Sequence, residues 1–71
     1  MIEIWSKPQC PFCDKAENLC IQKDLKYKKY MLDVDFTRDE FMQKFPTART
    51  FPQILVDGDL VGGYTEFAAT F

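Results

Sequence analysis

The apolar and polar positions in the first third of the chain predict a strand, a helix and a second strand. Residues 2–5, Ile-Glu-Ile-Trp, form a short apolar run that is typical of a strand. A helix follows with Pro11 at its first position, where the missing N–H costs nothing, and runs to about Lys23 with Ala16 and Cys20 on its apolar face. A second strand covers residues 27–32, and its lysines are typical of a sheet edge. We expect the two strands to be parallel, because a helix connects them.

A second helix has a well-defined start signal. Thr37 and Glu40 are spaced as a capping box, in which each residue satisfies a free backbone N–H group of the other. Phe36 and Phe41 stand at the two positions of a hydrophobic staple. The helix is predicted to end near residue 45, because Pro46 cannot continue it.

The last part of the chain predicts a hairpin and a short helix. Residues 53–56 and 59–61 are apolar runs on either side of Asp57-Gly58, which is a strong two-residue turn. Thr65 is the predicted N-cap of a final helix over residues 66–71. The element order is therefore β-α-β-α-β-β-α, with an antiparallel hairpin added to the parallel pair.

Composition and charge limit the class of protein. The 71 residues fit a single domain over residues 1–71, and a hydrophobic content of 46% supplies its core. No apolar run approaches the ~20 residues that cross a bilayer, and the N-terminus lacks the pattern of a signal peptide. A net charge of −2 with interspersed signs argues against nucleic-acid binding. Three cysteines, an odd number, argue against a secreted disulfide framework and for a reducing cytoplasm.

The candidate chemistry lies in Cys10-Pro11-Phe12-Cys13, directly after the first strand. On the first turn of a helix the two sulfurs are neighbours and can close a disulfide. Cys10 is the expected nucleophile, because the helix N-terminus and the nearby Lys7 favour its thiolate. The chain has no histidine, which excludes a cysteine–histidine pair. Cys13 is the expected resolving thiol, whereas Cys20 is expected to be a buried helix residue.

Four features in this order resemble the glutaredoxin family. They are Lys7, the cysteine pair, Thr-Phe-Pro-Gln-Ile at residues 50–54 and Gly-Gly-Tyr-Thr-Glu at residues 62–66. The resemblance covers nearly the whole chain. It implies an α/β, thioredoxin-like fold with a four-stranded mixed sheet flanked by helices.

The resemblance also implies a binding site for glutathione as co-substrate, with no bound cofactor and no metal. Phe51-Pro52 corresponds to the family's cis-proline, which turns the backbone of Phe51 toward the cysteine of glutathione. Thr50 supports this loop. The alternative is an ordinary trans proline that opens a strand.

The Gly-Gly segment is implied to hold the other end of glutathione. The γ-glutamyl carboxylate is assigned to the backbone amides of Tyr64 and Thr65, and Gly63 permits its close approach. The family often has an acidic residue at the position of Thr65. Without the resemblance, the two glycines indicate only a turn.

Three further residues are candidates for contacts around the cysteines. Lys7 is the first candidate for the glycyl carboxylate of glutathione, and Arg49 is a second one that is equally explained as a solvated charge. Phe12 is expected to form an apolar wall beside Cys10, with core packing as the alternative. Trp5 is expected to belong to the core.

The implied function is glutathione-dependent reduction of protein disulfides and glutathione mixed disulfides. One alternative is a thioredoxin-like electron donor that a flavoprotein reductase recharges. Another is a carrier in which glutathione and Cys10 of two subunits hold a [2Fe–2S] cluster, although Cys13 disfavours it. We expect a monomer whose partners are glutathione and glutathionylated or disulfide-containing proteins, with ribonucleotide reductase as a client by family analogy.

Overall fold

The computed structural model describes all residues from Met1 to Phe71, and its elements follow the predicted order. The strands and helices are β1 Ile2–Ser6, α1 Pro11–Gln22, β2 Tyr27–Met31, α2 Arg38–Lys44, β3 Gln53–Val56, β4 Asp59–Gly62 and α3 Tyr64–Thr70. None of the helices has the length and apolar character that crossing a bilayer requires.

One mixed sheet with the strand order β2-β1-β3-β4 forms the centre of the fold. β1 is parallel to β2, whereas β3 is antiparallel to both β1 and β4. The predicted parallel pair, the hairpin and the edge position of β2 are therefore confirmed. Asp57 and Gly58 both have positive φ, 52° and 89°, as the tight turn between β3 and β4 requires.

Local signals set the starts of the first two helices as predicted. Pro11 is the first residue of α1, where its missing N–H costs no hydrogen bond. Both bonds of the capping box are present at α2: the Thr37 amide donates to Glu40 at 2.8 Å, and the Glu40 amide donates to the Thr37 hydroxyl at 3.2 Å. The rings of Phe36 and Phe41 stack with centroids 5.7 Å apart.

The predicted start of α3 is wrong by two residues. The helix begins at Tyr64 with Gly63 as its N-cap, so Thr65 lies inside the first turn. The Glu66 carboxylate accepts a hydrogen bond from the Gly63 amide at 3.2 Å, which satisfies one of the free donors of the helix start. Gly62 has a φ of +125°, and a Cβ there would meet the Glu66 carboxylate at 2.9 Å, so this position requires glycine.

The two faces of the sheet bury separate apolar clusters. α1 and α3 contribute Ala16, Cys20 and Phe67 to one cluster, which includes Ile4 and Ile54 from the sheet. On the opposite face, α2 and its flanking residues pack against Leu55, with Trp5 partly buried beside them; the phenylalanines of this cluster are Phe36, Phe41 and Phe45. The sheet thus lies between two helical layers, and the predicted packing of Trp5 in the core is confirmed.

Candidate active site

The cysteine pair lies where β1 leads into α1. Cys10 is the N-cap of α1, with extended φ and ψ, and it is joined to Cys13 by a disulfide across a Cα–Cα distance of 5.2 Å. The Cys13 amide donates a hydrogen bond to Cys10 Sγ at 3.2 Å. Sulfur therefore takes the place that a serine or aspartate oxygen usually holds at a helix start. Once the disulfide is reduced, the same amide and the helix dipole favour a negative charge on Cys10.

The two cysteines differ slightly in exposure. Cys10 is 6% exposed, whereas Cys13, in the first turn of the helix, is 1% exposed. This order of exposure agrees with the expected roles of Cys10 as nucleophile and Cys13 as resolving thiol.

The loop before β3 adopts the conformation that the family resemblance implied. The Phe51–Pro52 peptide bond is cis. The side chain of Gln53 is buried and donates a hydrogen bond to the Thr50 carbonyl at 2.9 Å. This bond fixes the loop from the side of the protein interior. A Cβ at Gly63 would lie 3.5 Å from the Pro52 carbonyl, which shows how closely the start of α3 approaches this loop.

A groove of about 230 Å³ lies between this loop and the start of α3. Its lining brings together every residue that was predicted to contact glutathione except the two cations Lys7 and Arg49, and it adds Glu66. The lining residues are Phe12, Thr50, Phe51, Pro52, Gly63, Tyr64, Thr65 and Glu66. Phe12 is 52% exposed and its ring lies 6.0 Å from that of Tyr64, so it forms a wall of the groove and is not core. Neither cysteine lines the groove itself, but Phe12, which stands between Cys10 and Cys13 in the chain, does, so the groove adjoins the cysteine segment.

The two predicted cations lie outside the lining of the groove. The Lys7 ammonium is 5.9 Å from the centroid of the Phe51 ring and has no ion-pair partner. Arg49 lies on a second cavity, on the α2 side of Phe51. Both cations therefore lie near Phe51, whose ring also lines the groove.

Two polar residues at the site were missed by sequence reasoning. Glu66 lines the groove and caps α3, and its position three residues after Gly63 is the capping-box spacing that identifies it. Gln53 holds the loop through Thr50, and no pattern in the sequence indicates that its side chain turns inward.

Cys20, the third cysteine, is separate from this site. It is 0% exposed in the cluster between α1 and the sheet, as predicted. Burial, together with the negative charge of Glu17, raises the pKa of its thiol. It therefore stays protonated and inaccessible at neutral pH.

A cysteine pair that forms a disulfide at the start of the first helix, together with a cis-proline before β3 of a thioredoxin-like sheet, defines the class of thiol–disulfide oxidoreductases. Within that class the match is more specific. The family model described as Glutaredoxin matches residues 2–61, and the chain belongs to the glutaredoxin family.

Individual relatives agree with this assignment. Glutaredoxin 3 of Escherichia coli K12 is 31% identical over 68 residues, which cover 96% of this chain and 82% of the relative. The solved structure of reduced Escherichia coli glutaredoxin is 34% identical with a TM-score of 0.71, covering 97% of this chain and 89% of that one. A buckwheat glutaredoxin–glutathione complex shares the fold with a TM-score of 0.82 at 22% identity, covering 97% and 66% of the two chains.

Proposed function

We propose that this protein reduces protein disulfides and glutathione mixed disulfides with electrons from glutathione. The observation that carries the proposal is the groove beside the cysteines, which joins the Phe51 backbone to the start of α3. Glutathione is a short peptide with a charged group at each end, and the groove offers backbone groups, helix amides and a carboxylate along its length. The glutathione complex of the buckwheat glutaredoxin, which has the same fold, supports this choice of ligand.

On a glutathionylated protein, one cysteine suffices. The Cys10 thiolate attacks the glutathione sulfur, a Cys10–glutathione disulfide forms, and the protein sulfur leaves as a thiolate that takes a proton from water. A second glutathione thiolate then attacks the glutathione sulfur on Cys10. Oxidised glutathione leaves and the Cys10 thiolate is restored. The helix amides that favour the thiolate also make Cys10 a good leaving group in this second step.

On a protein disulfide, both cysteines act. Cys10 attacks one substrate sulfur and forms a mixed disulfide, and the released substrate thiolate is protonated by water. Cys13 loses its proton and attacks Cys10 Sγ, which frees the second substrate thiol and closes the Cys10–Cys13 bond. Two glutathione molecules reopen this bond and leave together as oxidised glutathione. The lower exposure of Cys13 supports its role as the resolving thiol.

We assign the groove residues to the parts of glutathione by their chemistry. The backbone N–H and C=O of Phe51 pair with the cysteine of glutathione like an added strand. The amides of Tyr64 and Thr65 receive the γ-glutamyl carboxylate. Glu66 supplies a carboxylate for the γ-glutamyl ammonium group, which Thr65 cannot provide. Lys7 is assigned to the glycyl carboxylate because its ammonium lies on the Phe51 side of the groove.

The Lys7→Ala variant tests this last assignment. We expect the pKa of Cys10 to rise and KM for glutathione mixed disulfides to increase about twofold to fivefold, a range set by the solvent exposure of the ammonium. Lys26→Ala, an exposed lysine beside β2, is the matched control and should change neither quantity. An alkylation profile and a KM that are the same in both variants would remove Lys7 from the site.

The proposed electron source is tested by a reductase comparison. With glutathione, glutathione reductase and NADPH, we expect turnover of the mixed disulfide of glutathione and mercaptoethanol. With thioredoxin reductase in place of both, we expect none. The opposite result would favour a thioredoxin-like donor that a flavoprotein reductase recharges.

The substrates and setting of the reaction belong to the same proposal. Glutathionylated and disulfide-containing proteins are the expected partners, with ribonucleotide reductase as one client by analogy. A dithiol that glutathione resets works in a reducing compartment, which agrees with the expected cytoplasmic location.

A further inference from the structure

A second cavity lies beside the groove, on the α2 side of Phe51. It has a volume of about 140 Å³, and we name it the arginine pocket. Leu32, Phe41 and Met42 form its apolar part, and Arg38 and Arg49 are its two charged residues. Phe51 lines both the arginine pocket and the groove, so the two cavities are neighbours across one aromatic ring.

The charge of this pocket differs from that of the whole chain. The chain carries a net charge of −2, yet both arginines of the pocket are exposed and neither forms an ion pair. No acidic residue lines the pocket, and the neighbouring Asp39 and Glu40 form no ion pair with either arginine. With the Lys7 ammonium 5.9 Å from the Phe51 ring, three cations surround this side of the groove.

The position of Arg38 has no explanation in helix stability. Arg38 is the first residue of α2, at the positive end of the helix dipole, where a cation costs about 0.3–1 kcal/mol. The first turn of α2 also holds Asp39 and Glu40, but Arg38 forms no ion pair with either. An unpaired cation beside an exposed apolar surface, here Met42 at 43% exposure, is the arrangement of a binding rim.

The size of the pocket indicates what it can hold. At about 140 Å³, the arginine pocket is smaller than the groove of about 230 Å³ that is proposed for glutathione, so it holds a smaller group than that tripeptide. It suits a single apolar side chain, with the arginines placed to pair with carboxylates next to that side chain. A substrate peptide that extends from Cys10 past the Phe51 ring would bring an apolar side chain and its neighbouring carboxylates to this pocket.

We propose that the arginine pocket docks the protein substrate through an apolar side chain flanked by acidic residues, a few positions from the substrate's reactive cysteine. This inference rests on the proposed function and adds to it a substrate class: segments of acidic and apolar character. The charges steer the substrate and set its orientation, and the apolar anchor adds affinity.

Three short glutathionylated peptides test the proposal. The first carries Leu and Glu on both sides of its cysteine, the second has Lys in place of each Glu, and the third has Ser in place of each Leu. We expect kcat/KM for the first peptide to exceed that for the second by about tenfold at low ionic strength, with a ratio that falls as salt is added. A smaller advantage is expected over the third peptide, and Met42→Gln should reduce it.

Arg38→Gln is the decisive variant, because Arg49 is also a candidate for glutathione itself. We expect it to lower kcat/KM for the acidic peptide about fivefold and to leave the lysine peptide and the glutathione–mercaptoethanol disulfide unchanged. The matched control, Lys23→Gln at the exposed C-cap of α1, should change none of the three.

Failure of this inference can be told from failure of the proposed function. Equal rates on the acidic and lysine peptides would overturn the docking site, and so would an Arg38→Gln loss that is equal on all substrates, since that arginine would then serve glutathione or the fold. If the unaltered protein does not turn over the glutathione–mercaptoethanol disulfide, the proposed function fails first.

Discussion

Replacing Cys10 by serine is expected to abolish the reduction of both protein disulfides and glutathione mixed disulfides. The rate should fall by more than about 1,000-fold, because a hydroxyl cannot take the place of the nucleophilic thiolate. The loss can be assigned to chemistry and not to unfolding, since serine is itself a favoured N-cap and keeps the start of α1. The measurement is turnover with glutathione and glutathione reductase, beside a denaturation curve of the variant.

Cys13→Ser is the matched control for this variant. We expect it to keep mixed-disulfide reduction within about threefold of the parent rate, because the one-cysteine route never uses Cys13. The reduction of protein disulfides should be lost, as no thiol remains to resolve the mixed disulfide. An equal loss of both activities in the two variants would contradict the division of roles between Cys10 and Cys13.

Phe67→Ala is expected to cause the largest loss of stability. Phe67 is 0% exposed and connects α3 to Ile4 and Ile54 of the sheet. Truncating a buried phenylalanine costs about 3–5 kcal/mol, which is comparable to the whole stability of a domain this small. The variant should be largely unfolded, and because α3 lines the groove, activity should be lost with the fold.

Phe12→Ala makes the same truncation at a residue that is 52% exposed. We expect a decrease in the free energy of unfolding of less than about 1 kcal/mol, because folding buries only a small part of the apolar surface of Phe12. Urea denaturation of both variants provides the comparison. A Phe67→Ala variant as stable as Phe12→Ala would contradict the packing of α3 on the sheet.

The features of the fold that short segments determine could be predicted from the sequence. The capping box at Thr37 and the turn at Asp57-Gly58 each depend on a few neighbouring residues, and both occur as expected. The predicted start of α3 is wrong because threonine and glycine are about equally favourable N-caps, so residue type alone does not distinguish Thr65 from Gly63. Gly63 is the N-cap because its amide donates to the Glu66 carboxylate and because the positive φ of Gly62 turns the chain just before it.

The candidate site likewise has a part that local sequence predicts and a part that it does not. The cysteine pair and its position before a helix follow from local sequence. The groove does not, because it needs the loop at Pro52 to meet α3 across the sheet, and only the family resemblance suggested that meeting. The inward turn of Gln53 and the arginine pocket depend on contacts between distant segments, which no spacing in the sequence reveals.

The central claim is that Cys10 is a thiolate at neutral pH, held by the Cys13 amide and the start of α1. The rate of iodoacetamide labelling of the reduced protein, followed by mass spectrometry across pH, measures this directly. We expect Cys10 to react fast at neutral pH, with a pKa well below that of free cysteine. Cys20, whose pKa is raised by burial, serves as the internal control that stays unlabelled. A Cys10 whose labelling rate rises only at the alkaline pH of free cysteine would contradict the account.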